Sequence, residues 1–199
     1  MSAVALVDAG GANLASVRHA LERQGARVRV VRDADGLRDA SRAVLPGVGA
    51  AAPAMARLRE QGLDDALRTF DRPLLGVCLG MQLLHEHSEE GDVPCLGLMP
   101  GKVRALRPGA SARVPHMGWN TLRVRRASPW LNGIGDGAHA YFVHGFAVDA
   151  ADDCIAECEY NGRFAAVVAR SVVAGAQFHP ERSGATGARL LRNFLDLPA

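Results

Sequence analysis

The amino-acid sequence predicts an α/β fold: a mostly parallel open sheet flanked by helices, with an antiparallel section towards the C-terminus. In the first half of the chain, short apolar segments alternate with segments whose apolar residues recur at helical spacing. This alternation is typical of parallel strands joined by right-handed crossovers. In the second half, short strand-like segments follow one another with turn residues between them. The chain of 199 residues is expected to form a single domain over residues 1–199.

The elements of the first half follow from apolar runs and from helical periodicity. Strands are expected at residues 4–7, 27–31, 43–45 and 73–77. Helices are expected at residues 13–24, around Leu37, at 53–61, at 63–70 and at 81–85. Asn13 is a suitable N-cap, Gly25 a helix stop and Pro53 a first helical residue.

The elements of the second half are predicted to be strands up to the last helix. The strand candidates are residues 103–106, 121–124, 140–143, 155–160, 164–169 and 172–177. Asn161-Gly162 lies between two of them and is a strong signal for a β-hairpin. We expect this antiparallel section to pack onto the parallel sheet, and residues 187–195 to close the chain as a helix.

The composition excludes several classes of function. The chain is 48% hydrophobic and 22% charged with a formal net charge of +2, and no arginine cluster is interleaved with aromatic residues, so no nucleic-acid partner is indicated. The N-terminal apolar run lacks a preceding basic region and soon meets Asp8, unlike a signal peptide. No apolar run reaches membrane-spanning length, and the protein is expected to be cytoplasmic.

Three of the four cysteines carry no functional signal. Cys95, Cys154 and Cys158 have neither the density of a disulfide framework nor the spacing of a zinc site, so no metal is predicted. They are interpreted as buried, inert thiols, which is the usual environment of a free cysteine.

The fourth cysteine lies in a segment with the pattern of a nucleophile elbow, Leu75-Gly76-Val77-Cys78-Leu79-Gly80. In such an elbow a sharp strand-to-helix turn exposes the nucleophile above a sheet. Gly76 and Gly80 suit it because larger side chains would block the close approach of helix and strand. At a helix N-terminus, free N–H groups and the helix dipole favour the thiolate of Cys78. The alternative is a buried, inert cysteine.

A nucleophilic cysteine needs a base, and the base needs a group that orients it. His179 and Glu181 lie at the end of an apolar strand, where a parallel sheet places its ligands. In an extended chain a spacing of two puts both side chains on one side. The carboxylate would then hold the imidazole in the required tautomer and stabilise the imidazolium.

The turn Pro46-Gly47-Val48-Gly49 also follows a predicted strand, so it is expected at the same edge of the sheet as Cys78. A backbone N–H of this turn, together with that of Leu79, would form an oxyanion hole. Taken alone, the turn is an ordinary one, and it gains weight from its position before the cysteine strand.

Together, residues 76–82 and His179-Pro180-Glu181 resemble the class I, or triad, glutamine amidotransferases. Within that superfamily the chain is most similar to the family of glutaminase subunits of imidazole glycerol phosphate synthase. The most specific segment is Pro115-His116-Met117-Gly118-Trp119-Asn120, which other amidotransferases do not usually carry. Further matches lie at residues 8–14, 45–49 and 141–144, and the likeness runs from residue 4 to residue 195.

The resemblance implies a flavodoxin-like class I glutamine amidotransferase fold and the hydrolysis of glutamine to glutamate and ammonia. Cys78 would attack the amide carbon, His179 would move the protons and Glu181 would orient His179. Gln82 would help to hold the glutamine. The oxyanion would be held by backbone N–H groups of Leu79 and of the turn residues Gly47, Val48 and Gly49.

The resemblance also implies a partner, because in the family the ammonia passes to a cyclase subunit, a (β/α)8 barrel, in histidine biosynthesis. A heterodimer with that subunit is therefore expected, with no cofactor and no nucleic-acid or membrane partner. We expect the isolated subunit to be almost inactive. Trp119 is expected to anchor the interface, because aromatic residues are enriched at interface hot spots. The alternative is that Trp119 is a buried core residue.

Two departures from the family pattern affect the surroundings of the triad rather than the triad itself. Ala9 stands where the family commonly has tyrosine, and Gly145-Phe146 stands where it tends to have Ser or Thr and then Tyr. They bear on the contacts with glutamine and on the partner interface.

Three alternative functions stay open. One is the glutaminase of another synthase, such as pyridoxal phosphate synthase, which would share the triad but lack the segment 115–120. Another is a stand-alone cysteine hydrolase that needs no partner. A third is a non-catalytic binding module, against which the intact Cys78, His179 and Glu181 argue.

Overall fold

The computed structural model describes residues 3–10, 14–109, 113–150 and 152–198. The strands of the first half are β1 (Ala3–Val7), β2 (Arg27–Val31), β3 (Arg42–Gly47), β4 (Leu74–Cys78), β5 (His87–Ser88) and β6 (Val93–Pro94). Those of the second half are β7 (Lys102–Ala105), β8 (His116–Thr121), β9 (Arg123–Val124), β10 (His139–His144), β11 (Phe146–Val148), β12 (Cys154–Glu159), β13 (Arg163–Arg170) and β14 (Val173–Ala176).

Six α-helices lie within the described residues: α1 (Leu14–Arg23), α2 (Ala34–Arg38), α3 (Ala51–Glu60), α4 (Leu63–Arg68), α5 (Leu79–Leu83) and α6 (Gly184–Asp196). Single 3₁₀ turns lie at Pro129–Leu131 and Pro180–Arg182. Among the helices described, none combines the length and the apolar character needed to cross a membrane.

The main sheet has eight strands in the order β2-β1-β3-β4-β14-β13-β12-β9. The first five strands in this order run parallel, and the last three are antiparallel. The predicted α/β fold with a mostly parallel sheet is therefore confirmed. The antiparallel section is present as well. Strands β13, β12 and β9 extend the main sheet beyond β14, and β10 of a smaller sheet packs against the main sheet through Ala140 and Phe142. Two smaller sheets hold β8 with β10, and β6-β5-β7-β11.

Helices cover both faces of the main sheet. Successive residues of each central strand alternate between two buried clusters, so that Leu75 and Val77 of β4 pack on the side of α1 and α6, whereas Leu74 packs on the side of α3 and α4. Because both faces are buried, the central strands appear in the sequence as continuous apolar runs. Their carboxyl ends meet at one edge, which is where Cys78 and Gly47 lie.

Several predicted boundaries differ from the structure. Helix α3 begins at Ala51 rather than Pro53, because the carboxylate of Glu90 accepts a hydrogen bond from the Ala51 N–H over 3.0 Å and caps the helix there. Helix α5 covers Leu79–Leu83 rather than 81–85, and α6 begins at Gly184 rather than 187. The N-cap proposed at Asn13 lies outside the described residues.

The segment 115–120, for which no strand was predicted, lies mostly in a strand. Most of it forms β8, which pairs with β10 over its whole length, and the strand predicted at 121–124 is divided between β8 and β9. The two-residue strands β5 and β6 have no counterpart in the prediction. In β8 the polar side chain of His116 is buried while Met117 and Trp119 are exposed, which inverts the usual pattern of a surface strand.

Glycines allow helix α5 to lie almost in contact with β3 and β4. A Cβ placed on Gly76 would come within 2.7 Å of the Gly80 carbonyl oxygen. A Cβ placed on Gly80 would overlap the carbonyl oxygen of Leu45 in β3. The elbow pattern in the sequence therefore corresponds to a real backbone contact between three elements.

We expect Gly80→Ala to lower the free energy of unfolding by about 3 kcal/mol, because its methyl group would displace the Leu45 carbonyl and with it strand β3. Gly135→Ala is the matched control, because a Cβ there has no heavy atom within 4 Å in the described part of the chain. Urea unfolding of both variants measures the difference. Equal stability of the two variants would contradict the close contact.

Candidate active site

Cys78 is the last residue of β4 and the residue that precedes the first turn of α5. Its backbone has φ 54° and ψ −113°, a conformation that residues with a side chain rarely adopt. This is the strained strand-to-helix turn that the elbow pattern predicts. The first-turn N–H groups of α5, beginning with that of Leu79, have no acceptor within the helix and are free to bind an anion.

The sulfur of Cys78 contacts polar groups from two other segments, namely β10 and the residues that follow β14. Its Sγ lies 3.7 Å from the Val143 carbonyl oxygen, towards which the thiol donates. The side-chain Nε2 of Gln177 donates towards the same sulfur over 3.8 Å. His179 lines the same cavity as Cys78, and interaction with the Cys78 sulfur raises the pKa of its imidazole. The nucleophile candidate is buried beside the apolar core but also has polar partners, unlike an inert core cysteine.

His179 follows strand β14 and is held by Glu181. The distance from His179 Nδ1 to Glu181 Oε1 is 2.9 Å, and the two side chains are 10% and 6% exposed. The chain between them is a 3₁₀ turn rather than the extended chain that we expected, and the turn brings the carboxylate back towards the imidazole. Ser183 Oγ donates to the His179 carbonyl over 2.7 Å, which fixes this turn.

Opposing effects set the pKa of His179. Burial lowers the pKa, but hydrogen bonds with Cys78 and Glu181, and the charges of both groups, raise it to about 10. Beside an ionised Cys78 sulfur the imidazole is therefore a cation, held between that sulfur and a carboxylate. A cation of this kind can protonate a leaving group beside the sulfur.

A cavity of about 170 Å³ opens above Cys78 and His179. Four other predicted residues line it, namely Val48, Gly49, Leu79 and Gln82. The predicted residue Gly47 lies elsewhere: it pairs with Cys78 across β3 and β4 and borders a smaller neighbouring cavity of about 100 Å³. Five further lining residues were not among the predicted site residues, namely Glu90, Val143, His144, Gly145 and Phe146. Gly145 and Phe146 were expected to bear on the contacts with glutamine, whereas Glu90 was not singled out at all.

The turn that ends β3 reaches over the cavity from the side of Leu79. Val48 is 38% exposed, and Gly49 has φ +94°, a left-handed conformation that favours glycine. This turn and the first turn of α5 face one cavity, which is the arrangement that an oxyanion hole requires.

Glu90 is the functional candidate that sequence reasoning missed. Its Oε2 is held by the Ala51 N–H, and burial raises its pKa. In the sequence it stands in the polar run 87–92, which is typical of an exposed loop and gives no sign of burial. Its position depends on the fold of β5 and β6, which bring the run beside α3.

Gln82 lies at the cavity with its amide already oriented. The side-chain Nε2 donates to the Phe146 carbonyl over 2.8 Å and to Gln177 Oε1 over 3.1 Å. Both amide hydrogens are therefore used, and the group that Gln82 offers to a ligand is its carbonyl oxygen.

A pair of buried histidines, His116 and His144, lies at the cavity wall, where His144 is one of the lining residues. His116 Nδ1 is 3.1 Å from His144 Nε2, and His144 Nδ1 is 2.8 Å from the Phe146 carbonyl oxygen. Burial lowers the pKa of each histidine to about 4, so both are neutral at pH 7. Because His144 Nδ1 must then donate to Phe146, its Nε2 accepts from His116, and the tautomers of the pair are fixed.

Trp119 lies outside this cavity. It is 57% exposed, with its ring centroid 5.8 Å from that of Tyr141, so the alternative of a core tryptophan is excluded. Its role at an interface stays a prediction, as do the individual roles of Cys78, His179 and Glu181.

A protein-family model described as glutamine amidotransferase class-I matches residues 5–197. The chain therefore belongs to the class-I glutamine amidotransferase family. A solved structure described as a glutamine amidotransferase has the same fold, with a TM-score of 0.76, 23% identity and 97% of each chain covered. PurLQS from Thermotoga maritima is similar in fold as well, with a TM-score of 0.74, 23% identity, and 98% of this chain and 99% of that chain covered.

Relatives of higher identity share one name, imidazole glycerol phosphate synthase subunit HisH. The relative from Xylella fastidiosa is 60% identical over 199 residues, covering 100% of both chains. The relative from Xanthomonas euvesicatoria is 61% identical over 197 residues, covering 99% of this chain and 98% of that one. The likeness to the subunits of this synthase that the sequence indicated is confirmed.

We expect Glu181→Gln to lower the pKa of His179 by at least about one pH unit, because it removes the carboxylate that stabilises the imidazolium. The imidazole chemical shifts of His179, followed by NMR against pH, measure the change. Glu22→Gln on α1 is the control, because it alters the net charge equally at an exposed ion pair with Arg18. The same titration midpoint in both variants would contradict the coupling.

Proposed function

We propose that this chain is the glutaminase subunit of imidazole glycerol phosphate synthase, which hydrolyses glutamine and passes the ammonia to a cyclase subunit in histidine biosynthesis. One observation carries the proposal: Cys78 and the Glu181-bound His179 meet at one cavity in a chain whose whole length matches HisH relatives. Identity of 60% over the full length also favours this synthase over pyridoxal phosphate synthase.

In the first half of the reaction, the Cys78 thiolate attacks the side-chain amide carbon of glutamine. The carbonyl oxygen becomes an oxyanion and is stabilised by N–H groups of Leu79 and of the turn that holds Val48. The His179 imidazolium then gives its proton to the amide nitrogen, the C–N bond breaks, and ammonia leaves. A thioester between Cys78 and the glutamyl group remains.

In the second half, His179 takes a proton from a water molecule as the water attacks the thioester carbon. The C–S bond breaks, glutamate forms, and its carboxyl proton goes to solvent. Glu181 accepts a hydrogen bond from Nδ1 of His179, so Nε2 is the nitrogen that exchanges protons.

Glu90 is proposed to bind the α-ammonium group of glutamine. It contributes a carboxylate to the lining of the cavity, and the Ala51 N–H occupies only one of its two oxygens. A cation beside Glu90 would also offset the cost of burying its charge. The amide end of the substrate would then lie at Cys78 and its amino end at Glu90.

The exposed side of β8 is proposed to contact the cyclase subunit. Met117 is 64% exposed and Trp119 57% exposed, and Val114, 40% exposed, precedes the strand. Exposed apolar side chains grouped in this way mark interaction surfaces. Val48, beside the cavity, is exposed as well, so a partner seated here could contact the proposed oxyanion turn.

We expect glutamate production to be slow for the chain alone and to rise more than about tenfold when the cyclase subunit and its nucleotide ligand are added. Cys78→Ala, assayed in the same complex, should lose the activity while keeping its thermal stability. Full activity of the chain alone would favour a stand-alone hydrolase. Activity in the Cys78→Ala complex would overturn the assignment of the nucleophile.

We expect Glu90→Gln to raise the KM for glutamine about tenfold with little change in kcat, because it removes a charge that binds ground state and transition state equally. Steady-state kinetics of the complex measure this split. Glu89→Gln is the matched control, since Glu89 accepts from the Ala105 N–H over 3.0 Å and does not line the cavity. Unchanged KM in the Glu90 variant would contradict this substrate orientation.

A further inference from the structure

Gln177 is a fully buried polar residue beside the nucleophile candidate. It follows β14, whose residue Ala176 pairs with Val77 of β4, so the next position along the ladder brings Gln177 level with Cys78. Its backbone N–H donates to the Ala166 carbonyl over 2.9 Å, which continues the pairing with β13. The main sheet itself therefore places this side chain.

The orientation of the Gln177 amide is set by its other contact. Gln82 Nε2 donates to Gln177 Oε1 over 3.1 Å, and the same Nε2 is anchored on the Phe146 carbonyl. With its oxygen engaged, Gln177 must present its NH₂ group to the Cys78 sulfur, at 3.8 Å. Gln82, four residues after Cys78 on the short helix α5, thus fixes the amide that faces the nucleophile.

The Val143 carbonyl oxygen lies close enough to repel an ionised Cys78 sulfur, so a thiolate here needs a hydrogen-bond donor such as the Gln177 amide. A thiol can donate its S–H to that carbonyl, 3.7 Å away, but a thiolate has no proton to donate and faces the oxygen lone pairs. Once the proton has moved to His179, the sulfur needs donors that oppose this repulsion. The Gln177 amide is a neutral donor, fixed in place and excluded from water, so its N–H groups interact strongly with the charged form.

We propose that Gln177 is a catalytic residue whose amide N–H binds the Cys78 sulfur whenever the sulfur carries negative charge. The proposal rests on the function given above, in which Cys78 is the nucleophile. During attack the thiolate electron pair forms the C–S bond and the contact weakens. When water cleaves the thioester, the C–S electron pair returns to sulfur and the contact strengthens. Gln177 transfers no proton in either step.

Alkylation of Cys78 by iodoacetamide tests the contact without using glutamine, because only the thiolate reacts appreciably. The other thiols interfere little at pH 7: burial raises the pKa of Cys95 and Cys154 to about 11 and that of Cys158 to about 12. Mass spectrometry of the peptide that contains Cys78 gives its rate separately.

We expect Gln177→Met to slow alkylation of Cys78 at pH 7 about tenfold, the equivalent of about 1.4 kcal/mol for a hydrogen bond to a charged group. Gln177→Glu should slow it more, because it keeps an acceptor for Gln82 but places a carboxylate beside the sulfur. Gln24→Met, at the end of α1, is the matched control and should react like the unsubstituted chain. Equal rates in all of these proteins would overturn the proposal.

The pH profile separates a charge effect from a packing effect. If Gln177 stabilises the thiolate, the ratio between the rates of the unsubstituted chain and Gln177→Met falls as the pH rises, because base then supplies the thiolate in both proteins. A ratio that stays constant from pH 6 to pH 10 would instead show altered access and overturn the proposal. If Gln177→Met does not unfold in a cooperative thermal transition, the rates of Gln177→Glu are compared instead, because that variant keeps the shape of the side chain.

The two proposals fail in different ways. Absence of glutamine hydrolysis in the complex with the cyclase would refute the proposed function and leave the difference in alkylation intact. Equal alkylation rates would refute the role of Gln177 and leave the proposed function intact.

Discussion

The backbone contact between α5 and strands β3 and β4 is the constraint on which the site depends. Because Gly76 and Gly80 have no side chains, the helix begins directly at the end of β4, and Cys78 is forced into a conformation with positive φ. The same contact sets the first-turn N–H groups beside the sulfur and brings Gln82 back towards it. A methyl group added at Gly76 or Gly80 would push the helix away from the strands. The nucleophile, the anion-binding N–H groups and the Gln82 amide would then move together.

Three buried histidines near the cavity differ in charge because their partners differ. His179 has an acidic partner on one side and the thiol on the other, and its pKa is raised to about 10 in spite of burial. For His116 and His144, which face each other, burial prevails and the pKa of each falls to about 4. His116 and His144 are therefore neutral at pH 7, which avoids repulsion between imidazolium ions when His179 carries its second proton.

Local patterns in the sequence were enough to predict the central strands, the elbow at Cys78 and the pair His179 and Glu181. In each case neighbouring residues determine the geometry, or the carboxyl ends of parallel strands bring distant segments to one edge. Glu90 could not be found in this way, because its burial depends on two-residue strands with no propensity signal of their own. The strand β8 was missed because its polar side chains point inward. The single domain and the cytoplasmic location stay predictions.

Strand β8 carries two kinds of side chain in alternation: His116 and Asn120 face inward, and Met117 and Trp119 face outward. Asn120 Nδ2 lies 3.4 Å from His116 Nε2, so the inward set continues to His144 at the cavity wall. Because successive side chains of a strand point to opposite faces, the outward side chains can be substituted without repacking the inward ones. At the interface proposed above, one six-residue segment would meet the partner with one side and support the wall of its own pocket with the other.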